Sequence, residues 1–315
     1  MPLPIKARQL AAKIESTPGT LESLGASDAT LVASDIVFGP DFKLFKRNIL
    51  TADFDKFAQL VGQQAAGITF KTPLQGASGA GTAPKVGTYL KGAGMDETVV
   101  ASTSVTYGPV SSGNSNLSLA QYEDDQVGSG LKSPIAGAMA RGCRLVGKIG
   151  EPTMWEFDFF GKYVANTDTA PLSPTLDAIV PPVLLGATFT IDSFAAAITE
   201  FSIDFAPSII LRGDITEATG YSSALYMDRE PTVSFNPEKT LKATYDWYNK
   251  FKTGAQGAFS LSYGSGAGQV ITITLPKVQY IQISEADRDG LGVYEITGAV
   301  NRDSVGDDSW SIAFT

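Results

Sequence analysis

Apolar and polar residues alternate along most of the chain, which is the pattern of β-strands that bury one face. Trp155, Phe157 and Phe159 would share one face of a strand, with Glu156 and Asp158 on the other. The same alternation recurs at Leu117/Leu119, Phe201/Ile203/Phe205, Phe259/Leu261/Tyr263, Ile271/Ile273/Leu275 and Trp310/Ile312/Phe314. The pattern predicts a mainly β protein.

Helical spacing is confined to short segments. Residues 84–94 form one candidate, and residues 238–252 form a clearer one, with an apolar face of Leu241, Tyr245, Tyr248 and Phe251. Residues 9–15 form a third candidate, short and polar. We therefore expect β-sandwich or barrel modules, each with one flanking α-helix.

Turn-forming residues divide the chain. Residues 1–32 contain Pro18, Gly19 and Gly25 without a sizeable apolar face, and they indicate an N-terminal arm. Four prolines within residues 170–182 disfavour regular ladders and indicate an extended connection. The predicted organisation is an arm (1–32), a first β module (33–169), a Pro-rich linker (170–190) and a second β module (191–315).

The two halves resemble each other in order. Ile68-Thr69-Phe70 recurs 165 positions later as Val233-Ser234-Phe235, and Phe157-Asp158-Phe159 resembles Tyr294-Glu295-Ile296 at a different spacing. At the first spacing, Arg47, Leu50 and Thr51 also match Arg212, Ile215 and Thr216. Chance matching in a β-rich chain is the alternative. The shared order favours a tandem duplication.

The composition argues against several classes of function. Lys and Arg total 24 against 33 Asp and Glu, and the net charge of −9 opposes binding that relies on neutralising phosphates. Histidine is absent, which removes the commonest general base and zinc ligand, and the single cysteine, Cys143, excludes a disulfide framework. The start lacks the apolar core of a signal peptide, and no apolar run is long enough for a membrane span. We expect a protein without enzymatic activity, cofactor, metal or membrane contact, made in the cytoplasm.

Two loops imitate ligand sites. Residues 76–84 are Gly-rich and lie between a predicted strand and a helix, but Thr82 and Ala83 stand where a phosphate-binding loop needs Lys and then Ser or Thr. A loop with Thr82 as a helix cap and Pro84 in the first turn is the structural interpretation. Residues 285–290 resemble the start of a calcium loop, but Ile296 replaces the bidentate Glu at the twelfth position. A hairpin that turns at Asp289-Gly290 explains them equally well.

Other reactive groups lack partners in the sequence. Arg141 and Arg144 could lower the pKa of the Cys143 thiol, but a half-buried structural cysteine on a strand is the favoured interpretation. Adjacent acids point to opposite faces of a strand, so they are predicted to be solvated turn residues; they are Asp124-Asp125 and Asp307-Asp308. No catalytic, cofactor-binding or metal-binding residue is predicted.

Several segments, in this order over nearly the whole chain, resemble the major tail tube proteins of long-tailed (siphovirus-type) bacteriophages. They include residues 12–20, residues 76–84 continuing through Glu97-Thr98, residues 107–113, Tyr122-Glu123-Asp124, residues 181–186, Asp246-Trp247 and residues 287–290. Pro18 departs from that family's pattern, in which an aromatic residue more often precedes Gly-Thr.

The resemblance implies two packed β-sheets with a flanking helix, joined edge to edge between copies into a ring, with rings stacked into a hollow tube. It also implies a place in the virion tail, passage of DNA through the lumen without specific binding, and three partners: the tape measure, tail terminator and tail tip proteins. Combined with the duplication, it predicts a homotrimeric ring with pseudo-sixfold symmetry. The alternatives are a β-rich capsid-decoration or adhesion module and a carbohydrate-active enzyme that uses two carboxylates.

Overall fold

The computed structural model describes residues 3–51, 54–176 and 179–315. Residues 1 and 2 of the predicted arm and residues 177 and 178 of the predicted linker lie outside these ranges. Within them the chain is mainly β, as the alternating pattern predicts.

The first half contains β1 (Arg8–Ile14), β2 (Ser34–Phe45), β3 (Leu60–Pro73), α1 (Gly87–Gly92), β4 (Met95–Val100), β5 (Ser104–Pro109), β6 (Leu117–Asp124), β7 (Gly130–Lys148), β8 (Met154–Tyr163) and β9 (Thr167–Asp168). The second half contains β10 (Thr188–Ile191), β11 (Glu200–Asp204), β12 (Pro207–Gly213), β13 (Tyr221–Arg229), β14 (Thr232–Phe235), α2 (Trp247–Thr253), β15 (Gln256–Tyr263), β16 (Ile271–Arg288), β17 (Leu291–Asn301) and β18 (Ser311–Phe314). Short 3-10 turns lie at Ile5–Ala7 and Ala26–Asp28.

Sixteen of the described strands form one large antiparallel sheet that continues from the first half into the second, and β12 and β13 pair in a separate two-stranded sheet. The order of the large sheet begins β2-β3-β8-β7 and continues β11-β14-β17-β16. We call the face of these eight strands that points away from the core the open face. A second layer covers the other side, where β1 pairs with β6 and β10 pairs with β15.

The long strands β7 and β16 belong to both layers. β7 pairs with β6 over its first half and with β11 near its end, and its register shifts near Gly137, which has φ 60°. β16 pairs with β15 at its start and then with β17, with a register shift after Tyr280. Because a bulge bends a strand and increases its twist, these shifts carry each strand from one layer into the other.

A single apolar cluster fills the space between the layers and extends through both halves. Trp155, Phe157 and Phe159 are buried, while Glu156 and Asp158 are half-buried on the open face. The other predicted alternating residues are buried too, which confirms the strand assignments: Leu117, Leu119, Phe201, Ile203, Phe205, Phe259, Leu261, Tyr263, Ile271, Ile273, Leu275, Trp310, Ile312 and Phe314.

The helix prediction for residues 9–15 is wrong. Residues from Arg8 to Ile14 form β1, in register with β6 through pairs such as Ala12 with Leu119. Leu10, Ala11 and Ala12 are buried, so the expectation that this segment lacks a sizeable apolar face is also wrong. The backbone hydrogen bonds offered by β6 outweigh a weak local helical preference.

The two longer helical segments are shorter than predicted. α1 lies inside residues 84–94 but begins only at Gly87, after Val86, so Thr82 is not its cap. α2 begins at Trp247 because Asp246 caps it, accepting a hydrogen bond from the Asn249 backbone N–H. The first predicted helical residues pair with β17 instead, since Glu238 bridges to Val293 and the Lys239 N–H donates to the Gly292 carbonyl.

The described part of the Pro-rich segment 170–182 contains no strand, in agreement with its composition. It packs on the N-terminal region, where Gln9 Nε2 donates to the Leu172 carbonyl over 2.9 Å. Leu172 contacts a small apolar cluster that includes Ala11 and Tyr122. The domain boundaries stay a prediction.

Candidate assembly interface

The two halves meet at an antiparallel junction between β7 and β11, which we call the internal junction. Its register places Val146 opposite Ser202 and Leu145 opposite Ile203. On the open face, Arg144 Nε donates to Ser202 Oγ over 2.8 Å. Oppositely charged residues face each other at both ends of the junction: Arg144 with Asp204 and Lys148 with Glu200. The junction therefore combines backbone pairing with charge complementarity.

The strands on either side of the internal junction repeat in the same order. β2-β3-β8-β7 on one side corresponds to β11-β14-β17-β16 on the other. Phe38 pairs with Ile68 in the first set, and Ile203 pairs with Val233 in the second. Both members of the second pair lie 165 positions after those of the first, which is the spacing of the sequence matches. Register and sequence thus identify the same correspondence for these strands. For β8 and β17 the sequence match is wrong by two residues, because the ladders make Ile296 the counterpart of Phe157 and not of Phe159.

The helices occupy corresponding places above these strands. Tyr89 of α1 contacts Phe70 of β3 edge to face, with ring centroids 5.1 Å apart. Trp247 of α2 lies 6.3 Å from Phe235 of β14, and Phe235 is the residue 165 positions after Phe70. Each half therefore uses an aromatic side chain from its helix to cover the same position of its sheet.

Each end of this eight-strand array has an edge without a ladder in the described residues, although on β2 the Ile36 carbonyl accepts a hydrogen bond from Arg8 Nη1 over 2.8 Å. Within the described residues, β2 has a ladder only with β3. After Gln279, β16 has a ladder only with β17. Val37 on β2 is 52% exposed, and Ile281 on β16 is 51% exposed. Long strand edges of this kind are surfaces to which another chain can add a strand.

The open face carries charges of both signs in close pairs. Lys71 Nζ lies 2.8 Å from Glu156 Oε1, and Arg141 Nε lies 2.7 Å from Asp158 Oδ2. The cross-strand charges of the internal junction lie on or beside the same face. Although the chain as a whole is acidic, these groups balance each other locally.

Apolar side chains are exposed where the hairpins of the two halves turn. Leu50, between β2 and β3, and Ile215, between β12 and β13, are fully exposed. They also lie 165 positions apart. Phe54, four positions after Leu50, is also fully exposed. Fully exposed apolar side chains at corresponding positions indicate a contact surface for another molecule.

A buried carboxylate fixes the segment after β1. Glu15 accepts hydrogen bonds from the backbone N–H groups of Gly19 and Gly137, both at 2.6 Å, and from Ser118 Oγ at 2.9 Å. Burial raises the pKa of Glu15 above its ordinary value, while these hydrogen bonds oppose the rise. The arrangement holds the chain entering β2 against β6 and β7.

The two loops that resemble ligand-binding sites have structural roles in the fold. The Gly-rich residues 76–84 pack on the loop around Gly268, and the Ala77 N–H donates to the Gly268 carbonyl over 3.0 Å. Asp289 and Gly290 connect β16 to β17 with φ 53° and 85°, which confirms the predicted hairpin. Among the described residues, no group of three or more Asp, Glu or Cys side chains is arranged to hold a metal ion.

The remaining titratable groups have structural positions. Cys143 is fully buried on β7, more deeply than predicted, and burial raises the pKa of its thiol well above the ordinary value. Asp125 accepts hydrogen bonds from the Val127 and Ser129 N–H groups, in agreement with a turn role. Asp308 likewise accepts from the Ser304 and Val305 N–H groups. Asp307 pairs with Arg229 at 2.6 Å.

No helix in the described ranges combines the length and apolarity of a bilayer span.

The fold and its edges define a β-rich protein built from two sets of strands joined side by side. The family model of phage tail tube proteins matches residues 6–305. The chain therefore belongs to the phage tail tube protein family. A search of curated proteins finds no significant match.

Sequence reasoning found most strands and the repeated positions at the 165-residue spacing, but not which strands have the open edges. An edge becomes visible only when every ladder partner of a strand is known. Val37 could have indicated the edge in part, because an exposed apolar residue on the outward side of β2 does not pack into the core of its own chain.

Proposed function

We propose that this chain is the repeating subunit of a hollow tail tube, in which rings of subunits stack and DNA passes through the lumen. The observation that carries the proposal is the internal junction together with the two open edges. The first set of strands joins the second through β7 and β11, and the array ends in a free β2 and a free part of β16. Repeating the same joint between copies would satisfy both edges and close a ring.

We further propose that the chain is a tandem duplication and that three copies form the ring. Two corresponding sets of strands per chain would then supply six equal parts, which gives pseudo-sixfold symmetry. The correspondence at 165 positions, in both sequence and register, supports this arrangement. Under this proposal, residues 33–169 and 191–315 contribute the two parts, and residues 170–190 connect them.

The open face of the array is proposed to line the lumen. Its paired charges would leave the wall close to neutral, so that DNA could move along it without the strong retention that released counterions produce. The acidity of the whole chain would then lie mainly elsewhere and serve solubility.

The proposed partners are copies of the chain itself and, at the centre and ends of the tube, the tape measure, tail terminator and tail tip proteins. Because the family is structural, a role without catalysis is favoured. The protein would be made in the host cytoplasm and function in the virion tail without a cofactor or membrane.

Negative-stain microscopy of the purified chain tests the proposal. Rings or tubes that form without added cofactor are expected, and end-on averages should show threefold symmetry with two similar but unequal parts. A chain that stays monomeric across protein and salt concentrations would contradict the tube. Strict sixfold averages with six chains per ring would contradict the trimer, and they would indicate that the second half lies outside the tube wall.

A further inference from the structure

We infer that β16 of one copy pairs with β2 of the next in a defined register that places Ala286 opposite Val37. This inference rests on the proposed ring, and it specifies the contact that closes it. It uses the internal junction as a template, because the chain already contains one complete joint between corresponding strands. The occupant of each open edge is therefore a second copy of the same chain.

The correspondence on the β2 side follows from a constant spacing. Phe38 and Ile68 correspond to Ile203 and Val233, since each pair is in register and the members lie 165 positions apart. Val37 therefore corresponds to Ser202. A register shift between Ser34 and Val37 interrupts β2 before this point, so the correspondence is carried no further than Val37.

The correspondence on the β16 side follows through the ladders. Phe70 pairs with Phe157, and Phe157 pairs with Cys143. In the second half, Phe235 pairs with Ile296, and Ile296 pairs with Ile283. Because Phe235 corresponds to Phe70, Ile283 corresponds to Cys143.

No register shift interrupts either strand pair beyond this point. β7 continues in register with β8 from Cys143 to Val146, and β16 continues with β17 from Ile283 to Arg288. Ala286 therefore corresponds to Val146, and Arg288 corresponds to Lys148.

Transferring the internal junction to the open edges gives the contact between copies. Val146 lies opposite Ser202, so Ala286 is placed opposite the Val37 of the next copy.

Exposure also agrees with the transfer. Val37 is 52% exposed. Its counterpart Ser202 pairs with β7 and is less exposed than Val37, being half-buried. In the part of the chain that the structure describes, residues 283–288 of β16 have no ladder on the edge where β7 carries β11. Each strand thus leaves open the place that its counterpart fills.

Disulfide cross-linking tests this register. The double variant V37C/A286C should form disulfides between copies on mild oxidation, because opposite residues in an antiparallel pair have Cβ atoms about 4.5–5.5 Å apart. Non-reducing electrophoresis should show a ladder that ends at closed trimers. V146C/S202C is the matched internal control, and it should form the same disulfide within one chain. Native Cys143 is buried and should not take part.

An off-register variant provides the negative control. V37C/S284C moves one cysteine two positions along the same edge, where diagonal neighbours lie about 7–8 Å apart and disulfides form poorly. If V37C/A286C aggregates, mixing the single variants V37C and A286C should give only heterodimers on oxidation. A short bifunctional thiol reagent replaces direct oxidation if the internal control does not oxidise.

The outcomes separate this inference from the proposed function. Rings that cross-link through V37C/S284C, or rings that cross-link through neither pair, would overturn the register while leaving the tube intact. A wild-type chain that forms no rings would overturn the proposed function, and the register would fall with it.

Discussion

The aromatic ring of Phe201 lies across Gly147 at the internal junction, so closely that a Cβ added to Gly147 would lie 2.3 Å from the ring. Phe201 is buried and cannot withdraw into solvent. We predict that G147A destabilises the chain by about 1–3 kcal/mol, because the extra methyl group forces the ring or the strand to shift. Chemical unfolding of dilute, unassembled protein measures the change.

G108A is the matched control for this prediction. Gly108 also lies in a strand, but a Cβ there would meet its nearest neighbour, the Trp310 carbonyl, at an ordinary 3.6 Å. The control should have nearly wild-type stability. Equal stability of G147A and G108A would show that the ring at the junction moves freely, contrary to the prediction.

The buried Glu15 predicts a pH effect. Burial raises its pKa in the folded chain, so the folded state holds the proton more tightly than the unfolded state does. The contribution of Glu15 to stability therefore falls as the pH rises from its ordinary pKa through the raised value. The free energy of unfolding of E15Q, relative to that of wild type, should therefore increase as the pH rises over this range. Chemical unfolding at several pH values measures it.

E22Q provides a control of opposite sign. The Ser16 hydroxyl and backbone N–H, together with Lys13, lower the pKa of Glu22 to about 2. A lowered folded pKa gives stability that is present above the ordinary pKa and is lost as the pH falls toward 2. E22Q should therefore be less stable than wild type at neutral pH and approach it in acid. If the stability of both variants followed the pH dependence of wild type, both assignments would be contradicted.

Deleting residues 1–32 should impair folding itself. The deletion removes β1 and its ladder with β6, and it exposes core positions that Leu10, Ala12 and Leu31 now cover. We expect insoluble protein or a much lower unfolding temperature. Deleting only residues 1–7 leaves β1 intact and should preserve the fold. A soluble, cooperatively folded chain that begins at residue 33 would contradict this prediction.

The alternating pattern predicted the strands well because burial on one face leaves a direct trace in the sequence. Phe157 and Phe201 are examples, since each lies at an apolar position flanked by polar ones and each is buried. The turn at Asp289-Gly290 was also predictable, because both residues tolerate positive φ. These features depend on neighbours within a few residues.

Features that depend on distant partners were missed. β1 has a weakly polar sequence, and only its ladder with β6, more than 100 residues away, makes it a strand. Residues 238–246 show an apolar period, but Glu238 and Lys239 pair with β17, and the N–H of Tyr245 closes a local turn on the Leu241 carbonyl instead of continuing a helix. The candidate interface was invisible for the same reason, because whether β2 and β16 have free edges depends on all the other pairings.

Leu50 and Ile215 lead to the last prediction, which concerns the stacking of rings. Both are fully exposed at the turns of corresponding hairpins. Burying such a side chain contributes about 1.5–3 kcal/mol, and a ring would repeat this contribution at every copy. We predict that L50D and I215D each leave rings intact but shorten the tubes, as measured by length distributions in negative stain. V305D is the control, since Val305 is 84% exposed but lies in the loop before β18 and belongs to neither hairpin. Tubes of wild-type length from L50D and I215D would show that the hairpins do not join successive rings, and a loss of rings would place the hairpins at the contact within a ring.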